Sequence, residues 1–132
     1  TIAREASQYF TKTGGSVISM TFDASTRVYP GYNVMGTAKA ALENINRQLA
    51  NEFGPKKIRF NSISAGPLPS LSARSIPGFT EMRKAHEERS PIKRPITHQE
   101  VANTALFLIS DLSTGITGSI IPVDGGYGII AL

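Results

Sequence analysis

Ser16–Phe22 reads SVISMTF, Asn33–Phe53 reads NVMGTAKAALENINRQLANEF, and Ile58–Ser64 reads IRFNSIS. The outer two are short, rich in β-branched residues and bounded by turn formers, which predicts strands. In the middle stretch Val34, Met35, Ala38, Ala41, Leu42, Ile45, Leu49 and Phe53 recur at three- and four-residue intervals. That period predicts a helix with one apolar face. Gly54 and Pro55 end it. Residues 23–31 form the loop between strand and helix, closing on Tyr29-Pro30-Gly31. Strand, helix, strand in that order predicts parallel neighbours joined by a right-handed crossover.

The same alternation continues on either side. Residues 1–11 read as the end of a helix, which Gly14 and Gly15 break. Ala65-Gly66-Pro67-Leu68-Pro69 is a loop, because two prolines and a glycine preclude regular pairing. Ser72–Arg89 predicts one or two helices interrupted near Pro77-Gly78. Thr97-His98-Gln99-Glu100 matches a capping box. The helix that follows is expected to turn Val101, Ala102, Ala105, Leu106 and Ile109 inward. Ser119–Val123 is a third strand, and Asp124-Gly125-Gly126 turns the chain after it. The fold class is α/β, one unit, with no repeats and no interdomain linker.

Composition narrows the chemistry. The 132 residues are 40% hydrophobic, enough to bury the core of one domain. No apolar run approaches the ~20 residues that span a bilayer, and residues 1–10 do not have the pattern of a signal peptide. Cysteine is absent, which excludes disulfides, thiolate catalysis and cysteine-bound zinc. His86 and His98 have no partner arrangement, so both read as surface residues and no metal site is expected. The expectation is a cytoplasmic domain without membrane attachment. The net charge of +4 is spread along the chain, and Glu81, Glu87 and Glu88 interrupt its densest basic stretch. Nucleic acid would need a basic face interleaved with aromatics. A mildly basic surface suits an anionic cofactor or an acidic carrier equally well.

The chemistry-bearing arrangement is Tyr32-Asn-Val-Met-Gly-Thr-Ala-Lys39. Seven residues make about two helical turns, so phenol and ammonium can face one crevice beyond the first strand. An unperturbed phenol titrates near 10, and a neighbouring ammonium favours its anion and can also hold a hydroxyl. Spacing alone also fits a loop tyrosine and a solvated lysine.

Phe22–Lys39 (FDASTRVYPGYNVMGTAK) resembles the enoyl-[acyl-carrier-protein] reductases, a divergent branch of the short-chain dehydrogenase/reductase superfamily. Ordinary members place their lysine four residues after the tyrosine, where this chain has Gly36. The longer interval to Lys39, with Asn33, Met35 and Ala38 between, is similar to the enoyl-reductase pattern. The resemblance continues through Ala40-Ala41-Leu42-Glu43, Arg59–Pro67 (RFNSISAGP), Ser90-Pro91-Ile92, Ser110-Asp111-Leu112-Ser113, Ile116-Thr117-Gly118 and Val123-Asp124-Gly125-Gly126. It implies a three-layer Rossmann-type parallel sheet with flanking helices, and the C-terminal portion of that fold.

The resemblance also implies roles. Tyr32 would hydrogen-bond the thioester carbonyl of a trans-2-enoyl substrate and stabilise the developing enolate. Lys39 would hold the nicotinamide ribose of NAD(H), with NADP(H) as the alternative. Met20, Thr21, Ala65, Gly66, Pro67, Leu68 and Ser70 would border the cofactor. Leu68 and Ser70 stand where the family usually has Ile and Thr. Met35, Ser72, Ile76, Phe79 and Met82 would contact the acyl chain, and Phe22 would pack against the acyl chain or the cofactor. Without the resemblance, Phe22 reads as a core residue and the other apolar positions as helix packing. Ser19 precedes Tyr32 by thirteen residues, the interval of a catalytic serine in ordinary members, but this branch expects no such role.

A complete member carries a glycine-rich strand-to-helix loop near its N-terminus. Gly14-Gly15 precedes a strand instead of following one. Residues 1–132 are therefore expected to be the C-terminal half of one reductase domain, with three of seven strands and without the dinucleotide-loop half. Alone, such a half should bind dinucleotide poorly. Restored, it is expected to reduce enoyl thioesters on acyl carrier protein in fatty acid synthesis, as a homotetramer. Two other readings stand beside this one: a related oxidoreductase with another substrate, and a catalytically silent oligomerisation scaffold.

Overall fold

The computed structural model describes residues 2–10 and 13–131. Thr1 and Thr11, the bounds of the expected N-terminal helix, lie outside the described residues, within which α1 spans Ile2–Ser7. Three strands follow: β1 (Gly15–Thr21), β2 (Ile58–Ala65) and β3 (Ile120–Val123). They pair in the order β1-β2-β3, all parallel, with Gly15 opposite Ile58 and Ser62 opposite Ile120. The first strand sits one residue earlier than the sequence predicts, which leaves Phe22 just past its end.

The crossovers hold the helices. α2 (Val34–Phe53) joins β1 to β2. α3 (Leu71–Arg74), α4 (Phe79–Arg89) and α5 (His98–Ile109) lie between β2 and β3. Strand alternation sends Ile58 and Phe60 to one face, where they pack with Ala50 and Phe53 of α2. Ile63 and Ala65 go to the other face, against Val101 and Leu108 of α5 and against Ile96. Helix, sheet and helix make three layers. Burying a side chain the size of Ile63 or Leu108 contributes roughly 1.5–3 kcal/mol.

Two apolar faces differ from the periodicity. On α2, Val34, Met35 and Ile45 are 73%, 48% and 52% exposed, whereas Glu43 and Asn46 are buried with Ala50 and Phe53. The face turned to the sheet carries these two polar residues beside Ala50 and Phe53 because the sheet offers them partners. Thr21 Oγ1 donates to Glu43 Oε1 at 2.6 Å, and Asn46 Nδ2 donates to the Phe60 carbonyl at 3.2 Å. On α5, Val101 is buried as expected, but Leu108 is the most buried residue of the helix, while Ala102, Leu106 and Ile109 are exposed.

The capping box forms as read. Thr97 Oγ1 accepts from the Glu100 amide, and Glu100 accepts from the Thr97 amide at 2.8 Å. Arg94 grips the same carboxylate with both terminal nitrogens, at 2.7 and 3.2 Å. The Arg94 bonds first, then those from Thr97, hold Glu100 down at about 2. Its folded value lies below its ordinary 4.5, so its contribution is complete above that pH and vanishes as pH falls through about 2. Glu100→Gln is expected to flatten that part of an acid-unfolding curve, and high salt to weaken the effect in the wild type because the pair is exposed.

Candidate active site

In a parallel sheet every strand ends on the same side, and clefts open beyond those ends. Here the ends are Thr21, Ala65 and Val123. After β1, Phe22 stays extended, Asp23–Ser25 makes a 3₁₀ turn, and the loop runs to Gly31 at φ 84°. Asn33, at φ 41°, then admits the chain to α2. The first turn of α2 lies directly on the 3₁₀ turn: a Cβ on Gly36 would come within 2.7 Å of the Ala24 carbonyl oxygen. Glycine at position 36 thus allows the contact that sets the direction of the helix carrying Lys39.

A cleft of about 190 Å³ opens there. Tyr32 and Lys39 line one side with Thr21 and Phe22. The β2 exit, Ala65-Gly66-Pro67-Leu68 with Ser70, forms the floor. Ala73, Ile76, Phe79 and Met82 of the following helical segment form an apolar wall. Three residues expected at the site do not line this cleft. Met20 is 45% exposed and meets Lys39 through its carbonyl, which accepts from Nζ at 3.0 Å. Met35 is 48% exposed on α2, and Ser72 is exposed one residue before Ala73. Thr21 lines the cleft, but its hydroxyl is committed to Glu43.

Tyr32 lies against Phe22 edge-on, with ring centroids 5.5 Å apart. Among the described residues nothing hydrogen-bonds its hydroxyl. Burial, and secondly the Asp23 carboxylate, raise its pKa above the ordinary phenol value. This is the reverse of the shift expected beside an ammonium. Desolvation and a carboxylate both disfavour the phenolate, and Lys39 directs one N–H to the Met20 carbonyl. The Tyr32 phenol is therefore neutral at physiological pH. Ser19 shares a hydrogen bond with Ser62, with Oγ atoms 2.7 Å apart.

Residues 1–128 match the model of the family described as Enoyl-(Acyl carrier protein) reductase. The chain belongs to this family. It is 50% identical over 131 residues to Enoyl-[acyl-carrier-protein] reductase [NADH] FabI of Synechocystis sp., covering 99% of this chain and 50% of that protein. The crystal structure of FabI from Candidatus Liberibacter asiaticus superposes with a TM-score of 0.94 at 43% identity, over 99% of this chain and 50% of that one. The Bacillus cereus enoyl-acyl carrier protein reductase, solved with NADP+ and indole naphthyridinone, gives 0.95 at 46% identity, over 99% and 51%. The chain spans about half the length of the curated relatives it matches.

Around the cleft of this family member lie groups that its sequence does not mark. His86 is not a surface residue: it is 4% exposed and stacked on Tyr127 at 4.3 Å. Its ring occupies the space above Gly66, where a Cβ would stand 2.7 Å from Cε1. Burial lowers its pKa, so the ring is a neutral wedge joining α4 to the cleft floor. Phe79, Met82 and His86 stand three and four apart, so the helical period does place His86 on the cleft-facing side. Asp124 accepts from the amides of Gly126 and Gly128, both at 2.8 Å, and so fixes the turn carrying Tyr127. Tyr29 and Asp23, joined at 2.7 Å, back the Phe22 ring.

Proposed function

We propose that this chain is the C-terminal half of an NAD(P)H-dependent reductase of trans-2-enoyl thioesters, acting on substrates carried by acyl carrier protein in fatty acid synthesis. The observation that carries the reading is the shared cleft: a neutral phenol and an ammonium on one side, a strand-exit loop beneath, and an apolar wall opposite. The missing partner is the N-terminal half bearing the dinucleotide loop. The exposed apolar rows on α2 (Val34, Met35, Ile45) and α5 (Leu106, Phe107, Ile109) supply faces for subunit contacts. The intact protein is read as a cytoplasmic homotetramer.

The residues fit a nicotinamide nucleoside. An ammonium has three donors, and among the described residues Lys39 uses one, toward the Met20 carbonyl, which leaves two for a ribose diol. The floor from Ala65 to Leu68 and Ser70 presents backbone and small side chains to a flat ring. When bound, NAD(P)H supplies the hydride. NADH is named for the Synechocystis relative and NADP+ for the Bacillus cereus structure, and Lys39 would serve either.

The chain's own residues supply the rest. Hydride addition at the β-carbon of an enoyl thioester puts negative charge on the carbonyl oxygen. Tyr32 donates to that oxygen, and the bond strengthens as the charge grows. Phe22 holds the phenol ring from the side, and Ile76, Phe79 and Met82 take the acyl chain out of water. The test is NAD(P)H oxidation by the full-length protein across a panel of enoyl thioesters and carbonyl compounds, with the saturated thioester identified by mass. Turnover of carbonyl compounds alone would assign a different oxidoreductase, and no dinucleotide binding at all would leave a scaffold.

A further inference from the structure

We propose that the hydrogen bond from Tyr29 to Asp23 is a latch that sets the position of the Tyr32 hydroxyl, making Asp23 and Tyr29 positioning residues. The inference rests on the reading of Tyr32 as the donor. The loop that delivers Tyr32 is closed on itself: Tyr29 Oη donates to Asp23 Oδ2 at 2.7 Å across six residues. The Asp23 end is rigid. Its carbonyl accepts from the amides of Thr26 at 3.0 Å and Arg27 at 2.9 Å, and the neighbouring Ala24 is packed under Gly36.

The far end has fewer ties. Val28 is 94% exposed, Pro30 is exposed, and Gly31 stands at positive φ with open space around it. Segments with few buried contacts open first. Tyr29 is where this stretch is pinned, and it reaches Tyr32 twice. Its carbonyl accepts from the Tyr32 amide at 3.0 Å. Its ring packs on Phe22 at 5.0 Å, and Phe22 in turn packs on Tyr32 at 5.5 Å. Releasing the latch would free both the backbone and the ring stack that aim the phenol. Asp23 Oδ1 is buried and unpartnered among the described residues, so the Tyr29 hydroxyl is this carboxylate's one side-chain donor. Arg27, His86 and Asp124 act on it only through space.

The test uses full-length enzyme with NADH and an enoyl thioester. Tyr29→Phe removes one oxygen and keeps the ring. It is expected to lower kcat by about ten- to a hundredfold, the cost of a small misplacement of a reacting group, with KM for NADH within about twofold. Asp23→Ala should behave alike, and the double variant should be no worse than either single. Asp23→Asn keeps an acceptor oxygen and should recover kcat to within about threefold of wild type. A purely structural bond would lower Tm and leave kcat alone. Unchanged kcat in Tyr29→Phe, or additive losses in the double variant, would overturn the latch while an inactive Tyr32→Phe upholds the donor. Full activity in Tyr32→Phe would sink both. Should Asp23→Ala not fold, Tyr29→Phe decides alone.

Discussion

Tyr32→Phe in the full-length protein is expected to cut kcat by about 10²–10³-fold while KM for NADH stays within about twofold. The phenyl ring still packs on Phe22, so the change removes a single hydroxyl from the cleft. A donor aimed at an oxygen that becomes charged only during reaction contributes chiefly to the transition state, and its loss falls on kcat. The electrostatics add a second expectation. Burial and Asp23 raise the pKa of this phenol, so the protonated form persists through neutral and mildly alkaline pH. The wild-type kcat profile should show no loss from this group until above about pH 10, the unperturbed phenol value. An alkaline limb well below that, absent in Tyr32→Phe, would mean that the anion is nearby in energy and that the assignment of a neutral donor is wrong.

The strands, the crossover helix, the capping box and the break at Pro77-Gly78 were legible because each rests on local chemistry: β-branched runs, helical period, a side chain closing on its own backbone, a residue that cannot extend a helix. The direction of α2 was not. A periodic apolar row says that some face will be covered, without saying by what. On α2 the row of Val34, Met35 and Ile45 is left outward, and Glu43 and Asn46 turn inward because Thr21 and the Phe60 carbonyl satisfy them. Such matches join positions from different elements, which no window along the chain contains.

The candidate site divides the same way. Tyr32, Lys39, Ala65, Gly66, Pro67, Leu68 and Ser70 could be marked by motif and resemblance, and all line one cleft. Met20 and Ser72 each adjoin a lining residue in sequence, and Met35 lies between Tyr32 and Lys39, but none of the three lines the cleft. Asp23 and Tyr29 had no signal, since no spacing rule links the two ends of an irregular loop. His86 did have one, the shared period with Phe79 and Met82, but a titratable side chain is read as exposed unless a partner is visible. Its partner is the Tyr127 ring, 41 residues away in the chain and adjacent only after β3 returns to the sheet.

Lys39→Met should produce the complementary kinetic change: KM for NADH raised by roughly 10–100-fold, with the smaller share of the loss in kcat. Methionine keeps most of the stem that packs along α2 and removes the ammonium, so the effect reports the charge and its donors. A hydrogen bond to a charged group contributes about 1.5–3 kcal/mol, and leaving the Met20 carbonyl without its donor at a half-exposed edge adds little because water can replace it. Arginine should not rescue, since a planar fork replaces a compact three-donor head at the same point of the helix. On the proposed reading a ribose-holding group would be engaged both before and during reaction, so its removal would weaken ground-state binding of the cofactor, whereas the Tyr32 hydroxyl would act on charge that exists only in between. Titrating each variant with NADH by fluorescence would separate the two. An unchanged affinity in Lys39→Met would detach this lysine from the cofactor and leave it as the residue that ties α2 to the end of β1.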